Sequence, residues 1–164
     1  MGRLVEFDDG ITLRIAQSVM NEISSLIASR GLNTESGGIL LGTQASDAQR
    51  FEITMASMPS VLDVSRRYSF LRRMSPANKL IAKSWDNSTG TVNYLGEWHT
   101  HDEPNPTPSA TDRSLMLQVV KDGSCLLDRA FMLIVGNSGK AYVGAVNPHN
   151  ERGIYSERWF RWVR

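Results

Sequence analysis

The sequence predicts a three-layer α/β domain with a mixed β-sheet. Three observations lead there. Strand-like and helix-like segments interleave along the chain, two pairs of strands are joined by hairpin-type turns that demand antiparallel neighbours, and no linker divides the 164 residues. A chain of that length suits one domain over residues 1–164 and can bury roughly two-thirds of its unfolded surface without staples.

The elements follow in order. Residues 4–7 and 11–13 are short apolar runs around Asp9-Gly10, a hairpin-type dipeptide. From Arg14 to Arg30 the residues Ile15, Val19, Ile23, Leu26 and Ile27 recur at three-to-four spacing, which predicts a helix with one buried stripe, stopped by Gly31. Residues 38–42 (Gly-Ile-Leu-Leu-Gly) read as a buried strand, and the alternation over 51–58 predicts another. Between Pro59 and Arg73 the one strand candidate is 68–71. Ser75-Pro76 opens a helix running to about Asp86, with Ser as cap and Pro at the first position. Residues 92–98 form a strand leading into His99-Thr100-His101. Residues 102–108 carry three prolines in seven positions, which excludes helix and central strand. Ser109 opens a helix through about Lys121, with Leu115, Met116, Val119 and Val120 as its apolar face. Residues 131–135 and 141–146 form a last hairpin over Asn137-Ser138-Gly139.

Composition narrows the function. Eighteen Lys and Arg oppose 17 Asp and Glu, and a net charge of +1 gives no long-range field for steering onto nucleic acid or an anionic membrane. The lone Cys125 excludes an intramolecular disulfide framework and a thiolate zinc cluster, and it reads as a small core residue. A metal here must be held by carboxylates and the three histidines. Glu6 places a charge where a signal peptide needs its apolar core, and it fills the position where myristoylation wants Ser or Thr. No apolar run approaches the roughly 20 residues of a bilayer span. The expectation is a cytoplasmic protein with no nucleic-acid or membrane partner.

His99 and His101 lie two apart at a strand end, so both project to one side with Cα atoms about 6–7 Å apart. That spacing lets two imidazoles converge on one ion at about 2.0–2.1 Å. Seven residues later comes Ser109, and Asp112 follows on the first helical turn. A proline-stiffened loop that swings this helix start back against the strand end makes Asp112 a third ligand, with an open fourth position as in catalytic zinc sites. The plain readings stand beside this one. A His pair on a strand can be surface or satisfied core, and Ser109-Ala-Thr-Asp112 is also a capping arrangement.

Gly96-Glu97-Trp98-His99-Thr100-His101, seven residues, Ser109, two residues and Asp112, preceded by Glu35-Ser-Gly-Gly-Ile-Leu-Leu-Gly42, resembles the signature of the JAMM (JAB/MPN+) metalloprotease family over nearly the whole chain. The resemblance implies a cytidine-deaminase-like α/β/α fold and a zinc isopeptidase that cleaves ubiquitin-like conjugates. It implies one Zn2+ per chain held by His99, His101 and Asp112, with Glu35 as general acid/base and Ser109 on the oxyanion. By itself Glu35 reads as a loop acid ahead of a strand. The wording is most similar to the bacterial stand-alone JAB peptidases of CBASS antiphage operons. That similarity implies a protein substrate, the conjugated C-terminal tail of a cGAS/DncV-like nucleotidyltransferase. The alternatives are a processing peptidase for another ubiquitin-like or sulfur-carrier protein, a scaffold that keeps the fold and loses the metal, and the DNA-associated RadC-like branch. The last usually has an N-terminal helical region, for which this sequence offers no room before its first strand.

The chain departs from the family at Asp102, where Pro commonly follows the second His. Asp102 reads as an exposed loop acid, a partner to a ligand, or a competing ligand. Glu97, on the face of the two histidines, could orient an imidazole or be an ordinary strand acid. Arg66, Arg67, Arg72 and Arg73 fall in the irregular region, where the family places contacts to the distal protein; a solvated charged loop is the alternative. His149 reads as a surface residue. The Arg158–Arg164 tail, with its aromatics, is expected to pack on the domain.

Overall fold

The computed structural model describes residues 1–59, 64–66, 69–71, 74–121, 125–150 and 152–163. In chain order the first elements are β1 (Arg3–Glu6), β2 (Thr12–Ile15), α1 (Gln17–Arg30), β3 (Gly37–Gln44) and β4 (Arg50–Ala56). A small ribbon, β5 (Val64–Arg66) and β6 (Ser69–Leu71), leads to α2 (Met74–Asn87). Then come β7 (Asn93–Thr100), α3 (Ala110–Lys121), β8 (Ala130–Val135), β9 (Lys140–Val146) and β10 (Ile154–Arg161).

Every residue of β7 and β8 is buried, the pattern of strands covered on both faces. They lie inside a sheet of order β1-β2-β4-β3-β7-β8-β9-β10, in which β2–β4 and β7–β8 are parallel and the other pairs antiparallel. On one face Val19, Met20 and Ile23 of α1 pack with Leu13, Ile53, Leu95, Trp98 and Phe131. On the other, Ala77 of α2 and Met116 and Val119 of α3 pack with Ile39, Leu41, Met132 and Ile134. Each fully buried Leu, Ile or Phe stabilises the fold by roughly 1.5–3 kcal/mol relative to exposure. This is the mixed three-layer α/β architecture the sequence predicts. Among the described residues no helix is long and apolar enough to cross a membrane.

Two expectations need correction, and a third, the packing of the tail, holds with more regular structure than expected. Arg14 and Ile15 belong to β2, not to the helix, because Ile15 pairs with both Arg3 and Ile53. Its three-to-four spacing with Val19 is real, but two flanking strands decide its conformation. The C-terminal tail is a full strand, β10, paired with β9 over Ile154–Arg161. Its aromatics pack as expected: Phe160 joins the α1 core, and Trp159 meets Tyr142 edge-on at 5.2 Å. The ribbon partner β5 was not anticipated, and Tyr68 of the expected strand lies outside the described residues.

One irregularity aims the site. Leu40 opposes Gly96 while Leu41 opposes Tyr94, so Leu95 is the extra residue of a β-bulge in β7. The bulge puts Tyr94 and Glu97, three apart, within reach of one another: the Tyr94 hydroxyl donates to Glu97 at 2.8 Å. Gly96 sits there at φ 143°, where a Cβ would lie 1.8 Å from the Phe131 carbonyl oxygen. Gly96→Ala is therefore expected to cost about 3 kcal/mol or more, lowering Tm by about 6–12 °C. Gly10→Ala, at φ 84° but with open space around it, should cost only about 1 kcal/mol. Thermal denaturation followed by circular dichroism measures both; equal costs would mean that β7 and β8 do not approach so closely at Gly96.

Candidate active site

β7 delivers the two histidines. His99 is its penultimate residue, and His101 extends the strand by donating its N–H to the Val135 carbonyl at 3.0 Å. Thr100, between them, points the other way. Its N–H donates to the Ser36 carbonyl at 2.9 Å, and its Oγ1 accepts the Ser36 N–H at 3.0 Å. That double tether fixes Glu35 beside the strand end. The antiparallel register sets Gly37 across from His99, where a Cβ would come within 2.8 Å of the His99 Cβ.

α3 delivers the third group. Ser109 and Asp112 form a capping box: the Ser109 N–H donates to Asp112 Oδ2 at 2.7 Å, and the Asp112 N–H donates to Ser109 Oγ at 3.1 Å. The first turn is braced from β10, where Glu157 accepts from Arg113 at 2.9 Å and from the Tyr142 hydroxyl at 2.8 Å. The capping and ligand readings of Asp112 are thus compatible, since the carboxylate that closes the box also faces the imidazoles.

The donor atoms converge. His99 Nε2 and His101 Nε2 are 3.1 Å apart. Asp112 Oδ1 lies 3.2 Å from the first, and Asp112 Oδ2 lies 3.3 Å from the second. All three residues are buried, and their donor atoms form a group able to hold a metal ion. Ligands of a tetrahedral zinc at about 2.0–2.1 Å stand about 3.3 Å apart, so the set fits such an ion. Its chemistry fits as well: two imidazole lone pairs facing each other in a dry site repel unless a proton or a cation lies between them.

Glu35, 3% exposed, brings Oε1 to 3.5 Å from His101 Nε2. Burial pushes its carboxyl up to about 7, with the His101 charge opposing and the Asp112 charge adding. Burial works against a charged His101, but hydrogen bonds with Asp112 and Glu103 overcome it and raise the imidazole to about 9. Asp112 moves far below the ordinary carboxylate range: hydrogen bonds with His101 and His99 outweigh its burial. The whole cluster is a set of coupled proton and cation acceptors.

The other expected residues fall as follows. Asp102 stands outside the converging group and accepts from Asn137 Nδ2 at 3.0 Å, which pins the start of the loop. Glu97 is buried and takes the Tyr94 hydroxyl. The carboxylate on His101 Nδ1 is that of Glu103, at 2.9 Å, a residue that sequence reasoning passed over. Its signal was its place two residues after a candidate ligand. Arg67, Arg72 and Arg73 lie outside the described residues, as does the side chain of Arg66. Cys125 is buried with its thiol pushed up to about 11 by desolvation, and His149 is exposed, 3.6 Å from Asp128.

The profile of a family described as prokaryotic homologs of the JAB domain matches residues 17–150. A Vibrio cholerae serotype O1 protein is 40% identical over 106 residues, covering 64% of each chain. One from Pseudomonas aeruginosa is 34% identical over 107 residues, covering 65% of this chain and 66% of its own. One from Escherichia coli is 33% identical over 132 residues, covering 80% and 79%. Each of the three bears the name CD-NTase/cGAS isopeptidase. The chain thus spans about two-thirds of the length of the first two. The solution structure of a Desulfitobacterium hafniense protein shares the fold, with TM-score 0.50, 22% identity, and coverage of 81% of this chain and 87% of that one.

Ser109 caps α3, its Oγ accepting the Asp112 N–H. Ser109→Ala in the metal-free protein is expected to cost about 1 kcal/mol, or about 2–4 °C in Tm. An unchanged melting temperature would show that the box contributes nothing.

Proposed function

The chain belongs to the prokaryotic homologues of the JAB domain, and from that premise we propose that it is a metal-dependent isopeptidase. Its substrate is the C-terminus of a nucleotidyltransferase of the CD-NTase/cGAS type, conjugated through an amide to another protein. The names of its relatives support this choice of substrate. The setting we propose is the reversal of such conjugation in CBASS antiphage defence, in the cytoplasm.

The observation that carries the proposal is the convergence of His99, His101 and Asp112, all buried, with Glu35 beside them. His99, His101 and Asp112 hold the ion, and the nitrogen and oxygen donor set suits zinc. A bound zinc supplies Lewis acidity, which polarises a carbonyl and acidifies water.

The remaining chemistry belongs to the chain. Glu35 takes the proton of the attacking water, and its raised affinity for protons suits both this step and the next. It then gives that proton to the departing amine, which must leave neutral. The Ser109 Oγ accepts from the Asp112 N–H, so its own proton is free to be donated to the carbonyl oxygen as negative charge develops there. Burial of Glu35 keeps bulk water from competing for its proton. A scaffold that works without metal would have no use for four buried polar groups facing one point.

The test is cleavage of a C-terminal nucleotidyltransferase fusion, run beside fusions of other ubiquitin-like and sulfur-carrier proteins. Cleavage of the nucleotidyltransferase fusion is expected, abolished by chelation and restored by zinc. Glu35→Gln should lower kcat by at least about 100-fold while the protein keeps its metal. Cleavage that survives chelation would contradict the mechanism, and preference for another carrier would contradict the substrate. Separately, His99→Ala is expected to lose the ion, read by elemental analysis of the purified protein; full occupancy in that variant would remove His99 from the ligand set.

A further inference from the structure

We propose that Glu103 is a positioning residue for the metal site, fixing His101 with its Nδ1–H outward and its Nε2 lone pair turned toward His99 and Asp112. The inference rests on reading those three residues as the metal donors.

One carboxylate oxygen makes two contacts. Glu103 Oε1 lies 2.9 Å from His101 Nδ1 and accepts the Thr107 N–H at 2.8 Å. Nδ1 must carry the proton to donate to a carboxylate, and in the neutral imidazole that a metal would bind this leaves Nε2 as the free acceptor. The Thr107 contact folds the loop back over four residues, toward Ser109 and the helix that carries Asp112. Glu103 therefore ties one ligand to the loop that delivers another.

The position of Glu103 is itself built. Its carbonyl accepts the Asn137 N–H at 2.9 Å, Ser138 Oγ donates to the Pro104 carbonyl, and Lys140 Nζ donates to Asn105 at 2.8 Å. From β10, Trp159 Nε1 donates to the Pro106 carbonyl at 2.8 Å. A Cβ on Gly136 would lie 2.6 Å from the Glu103 carbonyl oxygen, so the β8–β9 turn closes on the loop without space to spare. In a ligand loop that lacks proline after its second histidine, these contacts supply the rigidity, and Glu103 carries it to the imidazole.

The experiment measures zinc affinity of the full chain, stripped of metal, by competition with a chromophoric chelator, together with the absorption spectrum of the Co2+-loaded protein. Glu103→Ala is expected to weaken zinc binding by about 10–100-fold. Glu103→Gln, whose amide oxygen can accept both N–H groups, should recover most of that loss but shift the Co2+ bands, because the charge behind the imidazole is gone. Ser138→Ala, which removes one of several loop anchors and leaves the Glu103–His101 contact in place, should weaken zinc binding far less than Glu103→Ala does. Wild-type affinity in Glu103→Ala, or a loss no greater than that of Ser138→Ala, would overturn the proposal. If the alanine variant does not fold, wild-type affinity and spectrum in Glu103→Gln overturn it. Parallel measurement of His99→Ala separates the two readings: retained tight binding there defeats the ligand assignment itself, while its loss beside an unaffected Glu103→Ala defeats only the role of Glu103.

Discussion

Gly37 lies directly across from His99 in the antiparallel pairing of β3 with β7, and that register decides where every other group of the site can stand. A side chain at Gly37 would collide with the Trp98 carbonyl and the His99 Cβ, and one at Gly38 with Ser57. The two glycines let the chain before β3 run close along the end of β7. Thr100 then fastens Ser36 with two hydrogen bonds, and Glu35 arrives over His101. A slip of one residue would turn the strand's faces over, sending His99 into the α1 core and Trp98 out of it.

The same end of the sheet accepts a thermodynamic load. Glu35, Glu97, His99, His101 and Asp112 are all buried, and burying such groups costs several kcal/mol each unless partners compensate. The fold supplies partners from four directions: Tyr94 within β7, the α3 cap for Asp112, the loop carboxylate of Glu103, and the imidazoles for one another. Asp112 shows the economy of this arrangement, because one carboxylate completes a helix cap and faces two histidines. Facing lone pairs repel unless a proton or a cation lies between them, and under the proposed function a divalent cation takes that place. Function and stability are therefore coupled at this point: an ion that binds only the folded chain also stabilises it.

The parts of this account legible in the sequence are those governed by short periods. Strand alternation placed His99 and His101 on one side, three-to-four spacing gave α1 and α3, and the prolines fixed 102–108 as a loop. The resemblance drew attention to Glu35, whose local context alone says little. What was hidden depends on neighbours distant in the chain. Ile15 fits a helical stripe until β1 and β4 claim it. The residues of β10 put Trp159 and Phe160 on opposite faces of an edge strand, so no polar-apolar alternation marks them. Asp102 attracted notice as a departure from a pattern, yet Glu103, one residue on, holds the imidazole. Which carboxylate reaches His101 is set by the β8–β9 turn, some 35 residues away in sequence, and local reading cannot see it.

Under the proposed function, three side chains brought together by the β3–β7 register and the α3 cap hold a divalent ion without sulfur. X-ray absorption at the zinc edge of the purified protein tests it directly. One ion per chain is expected, with only nitrogen and oxygen neighbours at about 2.0–2.1 Å and the outer scattering of two imidazoles. A sulfur neighbour at about 2.3 Å, or a spectrum lacking imidazole scattering, would contradict it.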